Sequence, residues 1–410
     1  MATMRRLMTL GLAAALLSWT VPAQATPGAP DRSFGQGGVV LTQFSAIAFA
    51  SSVAVTPDGG IVAAGRVGKQ LEVLRYQSEG SLDRSFGSGG KVGTDLGKAP
   101  SVGGVALDSA HRIIVAGSGD GDDKVIRYLP DGELDADFGD GGVVTLDRGT
   151  KFDAASSVAM QGRKIVVVGD AGGQFEVLRL RADGTLDTSF GTDGAADVRF
   201  RKVDGARAKE VIVDRGHILV AGEGSQGGCS GGGCTVYQVI VGLDDDGTQD
   251  ETFGTKGTQE RVLPDFGEIC YGCDVAFAMT PSGRLLVANV NAIAEYTARG
   301  RVAWGFGSHG VVEPKGVSFS GGSALAVQPN GKILAGGARV ADPSCTRCRR
   351  AFGLERFLAG GRVDRTFGDR GTVSTAIEGS TQALAPQAGG KVVVLGHANH
   401  AFGLARYLLS

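Results

Sequence analysis

Six cysteines carry the densest chemistry in this 410-residue chain, and they stand as three close pairs: Cys229-x4-Cys234, Cys270-x2-Cys273 and Cys345-x2-Cys348. An even count in short spacings suits local disulfides in an oxidising compartment. The alternative is a structural zinc site, with Cys270-x2-Cys273 and a second pair as thiolate ligands. A thioredoxin-like redox motif needs a helix after Cys-x-x-Cys, and none can be read there. The five histidines are His111, His217, His309, His397 and His400. His397-x-x-His400 supplies half a metal site; the plainer reading is a surface loop with two solvated imidazoles. Asp120-Gly-Asp122-Asp123 could meet a hard cation such as Ca²⁺, but its oxygen shell is incomplete and it reads as a hairpin tip. Asp244-Asp-Asp246-Gly247 stands where Pro130-Asp131-Gly132 stands elsewhere, so it reads as turn chemistry. No residue is assigned as catalytic, cofactor-binding or metal-binding.

The elements that position these residues come from a glycine-rich chain, with 68 Gly, 12 Pro, 42% apolar and 6% aromatic residues. The formal net charge of −2 excludes charge-driven binding to nucleic acid or anionic membranes. Arg5 and Arg6 precede an apolar run from Leu7 to Trp19, followed by Ala23-Gln24-Ala25. That is the layout of a cleaved export signal over residues 1–25, too short in its apolar part to span a bilayer comfortably. The expectation is a secreted or periplasmic protein that starts near Thr26, with no membrane insertion after signal removal.

One motif returns seven times: Asp31-Arg-Ser-Phe34-Gly35, Asp83-Arg-Ser-Phe86-Gly87, Asp135-Ala-Asp-Phe138-Gly139, Asp187-Thr-Ser-Phe190-Gly191, Asp250-Glu-Thr-Phe253-Gly254, Ala303-Trp-Gly-Phe306-Gly307 and Asp364-Arg-Thr-Phe367-Gly368. The Phe-to-Phe spacings are 52, 52, 52, 63, 53 and 61. Between motifs, three β-type segments recur, as in Val53-Ala-Val55, Ile61-Val-Ala-Ala-Gly65 and Val73-Leu-Arg-Tyr76. A fourth runs from each Phe-Gly into stretches such as Gly90-Lys-Val92. Four strands in units of about 50 residues, with no sustained helical periodicity, predict an all-β, seven-bladed β-propeller with four antiparallel strands per blade. Residues 26–410 form this single domain. The repeated Phe is the expected wedge between neighbouring blades, because one unit cannot bury its apolar face alone.

The run Asp131-Gly-Glu-Leu-Asp135-Ala-Asp-Phe-Gly139-Asp-Gly-Gly142-Val-Val144 resembles the delta-60 repeat of secreted bacterial β-propeller-like proteins. The strand order is also similar to the NHL repeat. The resemblance covers residues 31–410. Val302 and Ala303 depart from its Leu-Asp, and Pro30 stands where Leu is usual. It implies the propeller fold and no particular reaction.

Arg75, Arg127, Arg179 and Arg356 each lie eight residues before a motif Asp, namely Asp83, Asp135, Asp187 and Asp364. Where Ala303 replaces Asp, Glu295 replaces Arg; before Asp250 the position is Gly242. This predicts a structural, bidentate Arg–Asp pair in the repeats that keep both residues. Arg406 and Asp31 are the two left over, so the N-terminal strand should join the last blade and close the ring.

In a propeller, the connections that hold the cysteines emerge on one face, over three consecutive units. Insertions in repeat proteins collect on one face, often the binding face. The expected function is a non-enzymatic, monomeric binding or scaffold protein without cofactor, with an extracellular protein or cell-surface ligand on those loops. The alternative is a propeller enzyme, a lyase or hydrolase, with its site at the central channel. Disulfides across loops this short would restrict the unfolded chain by only about 2 kcal/mol. Reduction should therefore leave the far-UV β signal intact, and stoichiometric zinc in natively purified protein would overturn the disulfide reading.

Overall fold

Four short strands leave both faces of their sheet apolar, so each unit is stable only against copies of itself. In the computed structural model, residues 26–410 are described except 148, 150–152, 228–234, 263–274, 290–291, 320–321, 341–349 and 399. All six cysteines and the expected export signal lie outside the described residues. The strands form seven antiparallel sheets, six of them running in sequence order from the ring axis outward. Blade 1 holds Ala48–Val55, Ile61–Val67, Gln70–Tyr76 and Lys91–Asp95. Blade 2 holds Ser101–Leu107, Ile113–Gly119, Asp122–Tyr128 and Val143–Leu146. Blade 4 holds Gly205–Asp214, His217–Gln226, Thr235–Leu243 and Thr258–Arg261. Blade 5 holds Val275–Met279, Leu285–Asn289, Ala292–Tyr296 and Val311–Val312, and blade 6 runs from Ala324–Val327 through Ile333–Val340 and Arg350–Phe357 to Thr372–Glu378.

Blade 3 departs from the four-strand plan. Asp153–Gln161, Lys164–Ala171 and Gln174–Leu180 are full strands, but the outer strand is reduced to a bridge between Leu178 and Ala195. The sequence there is Ala195-Ala196, without the β-branched residues that favour an edge strand elsewhere in the ring.

The ring closes in blade 7. Ser380–Gln387, Lys391–Ala398 and Ala401–Leu408 come from the C-terminal end, and Val39–Gln43 from the N-terminal end supplies the outer strand. It pairs from Val39 opposite Ala405 to Gln43 opposite Ala401. The Tyr76 hydroxyl then bonds Thr42 at 2.7 Å across the blade 7–blade 1 junction, as Tyr128 bonds Thr94 at 2.6 Å across the next.

The core lies between blades. There are seven apolar clusters among the described residues, and each spans one junction. At the first, Val62, Ala64 and Val73 of blade 1 pack with Val115, Ile126 and Tyr128 of blade 2, all fully buried. Phe86, in the motif of blade 1, is the wedge, and Gly132 in the turn of blade 2 receives it. A Cβ on Gly132 would sit 3.0 Å from Phe86 Cε2, and its φ of +95° suits glycine for a second reason.

An arginine completes five junctions. Nε of Arg75, Arg127, Arg179, Arg356 and Arg406 lies 2.8–3.1 Å from Oδ2 of Asp83, Asp135, Asp187, Asp364 and Asp31. The contact is not the bidentate pair that the spacing suggested. The other Asp oxygen is occupied: Oδ1 of Asp31, for example, accepts Ser33 N–H at 3.1 Å and its hydroxyl at 2.6 Å. Nη1 is therefore left to cross the junction, where it donates to a backbone carbonyl of the next blade. Arg75 reaches Pro130 at 2.5 Å and Arg356 reaches Leu409 at 2.6 Å. Arg127 reaches Ala182, Arg179 reaches Asp245 and Arg406 reaches Ser78 in the same way. In blades 2, 3, 6 and 7 the guanidinium also lies over the motif Phe, 4.4–4.6 Å from the ring centre.

Burial works against the charged form of Asp364. Hydrogen bonds from Lys332 and Thr366 and the charge of Arg356 outweigh it, leaving the pKa at about 2. Arg406 is 4% exposed and Asp31 6%. Asp31→Ala should cost about 3–5 kcal/mol, because it strands a buried guanidinium. Urea unfolding should show that loss, against about 1 kcal/mol or less for Asp250→Ala, a part-exposed carboxylate that no arginine reaches among the described residues.

Candidate functional site

Seven inner strands converge on the axis, so their residues are small: Ser51, Ser52, Gly103, Gly104, Ser156, Ser157, Ala276 and Ala324 line a channel cavity of about 380 Å³. In blades 1, 2, 3, 4 and 7 the inner strand breaks register here, between Ala50 and Ser52, Val102 and Val105, Ala155 and Ser157, Ala208 and Glu210, and Thr381 and Ala383. Such bulges turn a side chain out of the ladder. The charged residues of the lining are Lys209 and Glu210. Lys209 Nζ lies 3.6 Å from Glu223 Oε1. Glu210 Oε2 accepts the N–H of Phe277 in blade 5 at 2.6 Å. Ser52 does the same in blade 1, accepting Val105 N–H of blade 2 at 3.1 Å. Glu210 thus fills a structural position with an ionisable group, and burial pushes its carboxyl up to about 7. The lining supplies one acid near neutrality and no nucleophile–histidine pair.

Blades 4 and 5 are the second distinctive region. Blade 4 keeps Asp250, whose Oδ1 accepts Thr252 N–H at 2.9 Å and its hydroxyl at 2.7 Å. It lacks the arginine: Gly242 stands there, packed so closely that a Cβ would lie 2.7 Å from Phe253 Cγ. A cavity of about 460 Å³ opens between blades 4 and 5, lined by His217, Gly242, Asp250, Thr252, Phe253 and Ala298. His217, Asp244 and Asp250 bring ligand atoms within 4.8 Å of one another, a donor set that suits zinc more than calcium. Blade 5 resolves the same position differently. Ala303 removes the carboxylate, Glu295 takes the arginine's place, and Arg284 pairs with it at 2.8 Å.

The other residues singled out in the sequence do not gather into a site. His397 packs against Phe49 with ring centres 5.5 Å apart, while the His400 carbonyl accepts Phe44 N–H. Asp120 Oδ1 accepts Lys98 N–H at 2.9 Å, a loop-closing role. The six cysteines lie outside the described residues. The strands that flank them are described, however: Gln226 and Thr235, Arg261 and Val275, and Val340 and Arg350 all open on the same face.

Sequence reasoning missed two features. A second cation approaches four of the motif carboxylates: Arg112 at Asp135, Lys164 at Asp187, Lys332 at Asp364 and Lys391 at Asp31, at 2.8–3.1 Å. The signal was a Lys or Arg fifteen residues before Arg127, Arg179 and Arg406. The channel acid escapes the sequence pattern because Glu210 directly precedes Val211-Ile-Val213, the counterpart of Val53-Ala-Val55 in this repeat.

A closed ring of Asp-Phe-Gly repeats with buried arginines defines the class, a repeat-built β-propeller. A family model described as "Domain of unknown function (DUF5122) beta-propeller" matches residues 56–86, 112–138 and 163–190, the hairpin-to-motif stretches of blades 1, 2 and 3. That match and the seven-bladed ring support a delta-60-like β-propeller family. No curated protein matches the sequence. Among solved structures, it is similar to virginiamycin B lyase from Staphylococcus aureus, at 9% identity and a TM-score of 0.53, over 90% of this chain and 99% of that one. YCF48 bound to D1 peptide is similar at 11% identity and a TM-score of 0.50, over 94% and 100%. At these identities the likeness is one of fold.

Glu210 yields a pH dependence with a defined sign. Its folded pKa lies above the unfolded carboxylate value, so the fold favours the neutral form. That contribution is complete below the ordinary range and is lost as pH rises through about 7. Melting temperature should fall between pH 5 and pH 8, a span chosen around that value. Glu210→Gln keeps an acceptor for Phe277 and should flatten the fall.

Proposed function

We propose that this chain is an exported, non-enzymatic binding or scaffold propeller. Its partner is an extracellular protein or cell-surface ligand, docked on the cysteine-bearing loops of blades 4–6. One observation carries the reading. In blades 1–3 the second and third strands are joined by two-residue turns, as between Val67 and Gln70, Gly119 and Asp122, and Ala171 and Gln174. The equivalent connections from Gln226 to Thr235 in blade 4 and from Val340 to Arg350 in blade 6 are far longer, and the link from Arg261 in blade 4 to Val275 in blade 5 opens on the same face. Loops on a rigid scaffold lower the entropy cost of recognition.

The second reading, a lyase or hydrolase working in the channel, is favoured by Glu210. A carboxyl near neutrality in a polar channel is suited to general acid–base work. Lys209, the other charged residue of the lining, is directed to Glu223, and binding is preferred.

The test replaces the three long connections with the short turns of blades 1–3. A partner identified by cross-linking in the native secretome should bind the trimmed ring at least about ten-fold more weakly, or 1.4 kcal/mol. Unchanged affinity would move the site off this face.

A further inference from the structure

Five junctions hold an arginine side chain in one recurring receptor. The motif Asp takes Nε, a carbonyl in the next blade's turn takes Nη1, and in four of the five the motif Phe lies under the guanidinium. In blades 6 and 7 the Ser or Thr two residues after Asp also meets Nη2, at 3.5 Å for Thr366 and 3.3 Å for Ser33. These five copies record which chemical group the receptor fits.

Blade 4 retains every acceptor. Asp250, Thr252 and Phe253 occupy the motif positions, and Ala298 in blade 5 occupies the turn position of Pro130 and Ala182. The arginine itself is absent, because Gly242 has no side chain, and all five residues line one cavity. Among the described residues, no Arg or Lys reaches Asp250. His217 stands where blades 3, 6 and 7 place Lys164, Lys332 and Lys391, and an imidazole does not carry the permanent charge of lysine. Arg215, also in the lining, approaches Asp214 instead, at 3.9 Å. Blade 5, by contrast, satisfies its own charge through Arg284 and Glu295.

We propose that the blade 4–blade 5 junction is a receptor for the guanidinium group of an arginine side chain presented by another protein. The incoming group restores the carboxylate, aromatic and carbonyl contacts that the ring makes internally elsewhere. Arginine is preferred to lysine because these acceptors lie in different directions around a planar fork, which a single ammonium cannot serve together. The receptor opens on the face opposite the cysteine-bearing loops. It goes beyond the function proposed above, and either can fail alone.

The experiment titrates the full mature chain with Nα-acetyl-arginine amide, followed by NMR or calorimetry. The neutral citrulline analogue and the lysine analogue serve as comparators. One saturable site per chain is expected, in the millimolar range, at least about ten-fold tighter than for citrulline and several-fold tighter than for lysine. Asp250→Asn should weaken it at least about ten-fold with an unchanged melting temperature, since the carboxylate has no buried cation to strand. His217→Lys installs the lysine of the other blades and should abolish binding while raising the melting temperature. Equal binding of citrulline, indifference to Asp250→Asn, or no saturation by the arginine probe would overturn the proposal. So would Zn²⁺ bound through His217 that the arginine probe cannot displace.

Discussion

A guanidinium held between two blades is the interaction on which this ring depends. Arg127 touches the carboxylate of its own blade, the ring of Phe138 and the carbonyl of Ala182 in the next blade. Each partner would be costly to bury alone. Together they let a charged side chain, 2% exposed, replace what would otherwise be a gap at the rim of an apolar junction. Lysine could neutralise the carboxylate, but it could not also stack flat and reach the carbonyl. Lysine or a further arginine appears in the other role, approaching the same Asp from the side of the first hairpin.

Departures from this pair fall in two neighbouring blades. Blade 5 exchanges both ends of the pair at once, with Glu295 for the arginine and Ala303 for the aspartate, and Arg284 restores neutrality. Blade 4 loses only the arginine and opens a cavity. Near the axis the constraint differs. Seven inner strands crowd there, so side chains are mostly short, and at two junctions a side chain must satisfy an N–H of the neighbouring blade. Ser52 and Glu210 answer that need at equivalent positions, one neutral and one ionisable.

Much of this was legible in the sequence, because seven copies average out local ambiguity. The Asp-Phe-Gly motif, the Val–Ile strand segments and the turn glycines each recur, so blade number, strand order and the wedge role of Phe86 could be read. The orphaned Arg406 and Asp31 identified the residues that meet at closure. What could not be read was the direction of hydrogen bonds. The spacing of Arg127 and Asp135 is compatible with a two-bond pair. Only the claim of Asp137 N–H on Asp135 Oδ1 redirects the second arginine nitrogen across the junction. The outer strand of blade 3 was overread, because Ala195-Ala196 keeps the spacing of the repeat without its β-forming residues. Glu210 was hidden because the bulge that exposes it has no sequence signature beyond a polar residue before an apolar run.

Closure by the N-terminal strand also fixes the order of assembly. Asp31 bonds Arg406 across 375 residues, and the partner lies near the end of the chain. Throughout synthesis, Val39–Gln43 and the flank of blade 1 have nothing to pair with, and a chain complete to blade 6 is an open arc with two unpaired ends. Contacts of such sequence separation form slowly, and unpaired edges meanwhile invite another chain. A second copy carries the same complementary end, so at high concentration the open arc can close on its neighbour as an exchanged pair. The final seam is thus where correct assembly competes with swapping; the same ion pair forms in both outcomes, and the single ring is favoured at low concentration because its two ends belong to one chain.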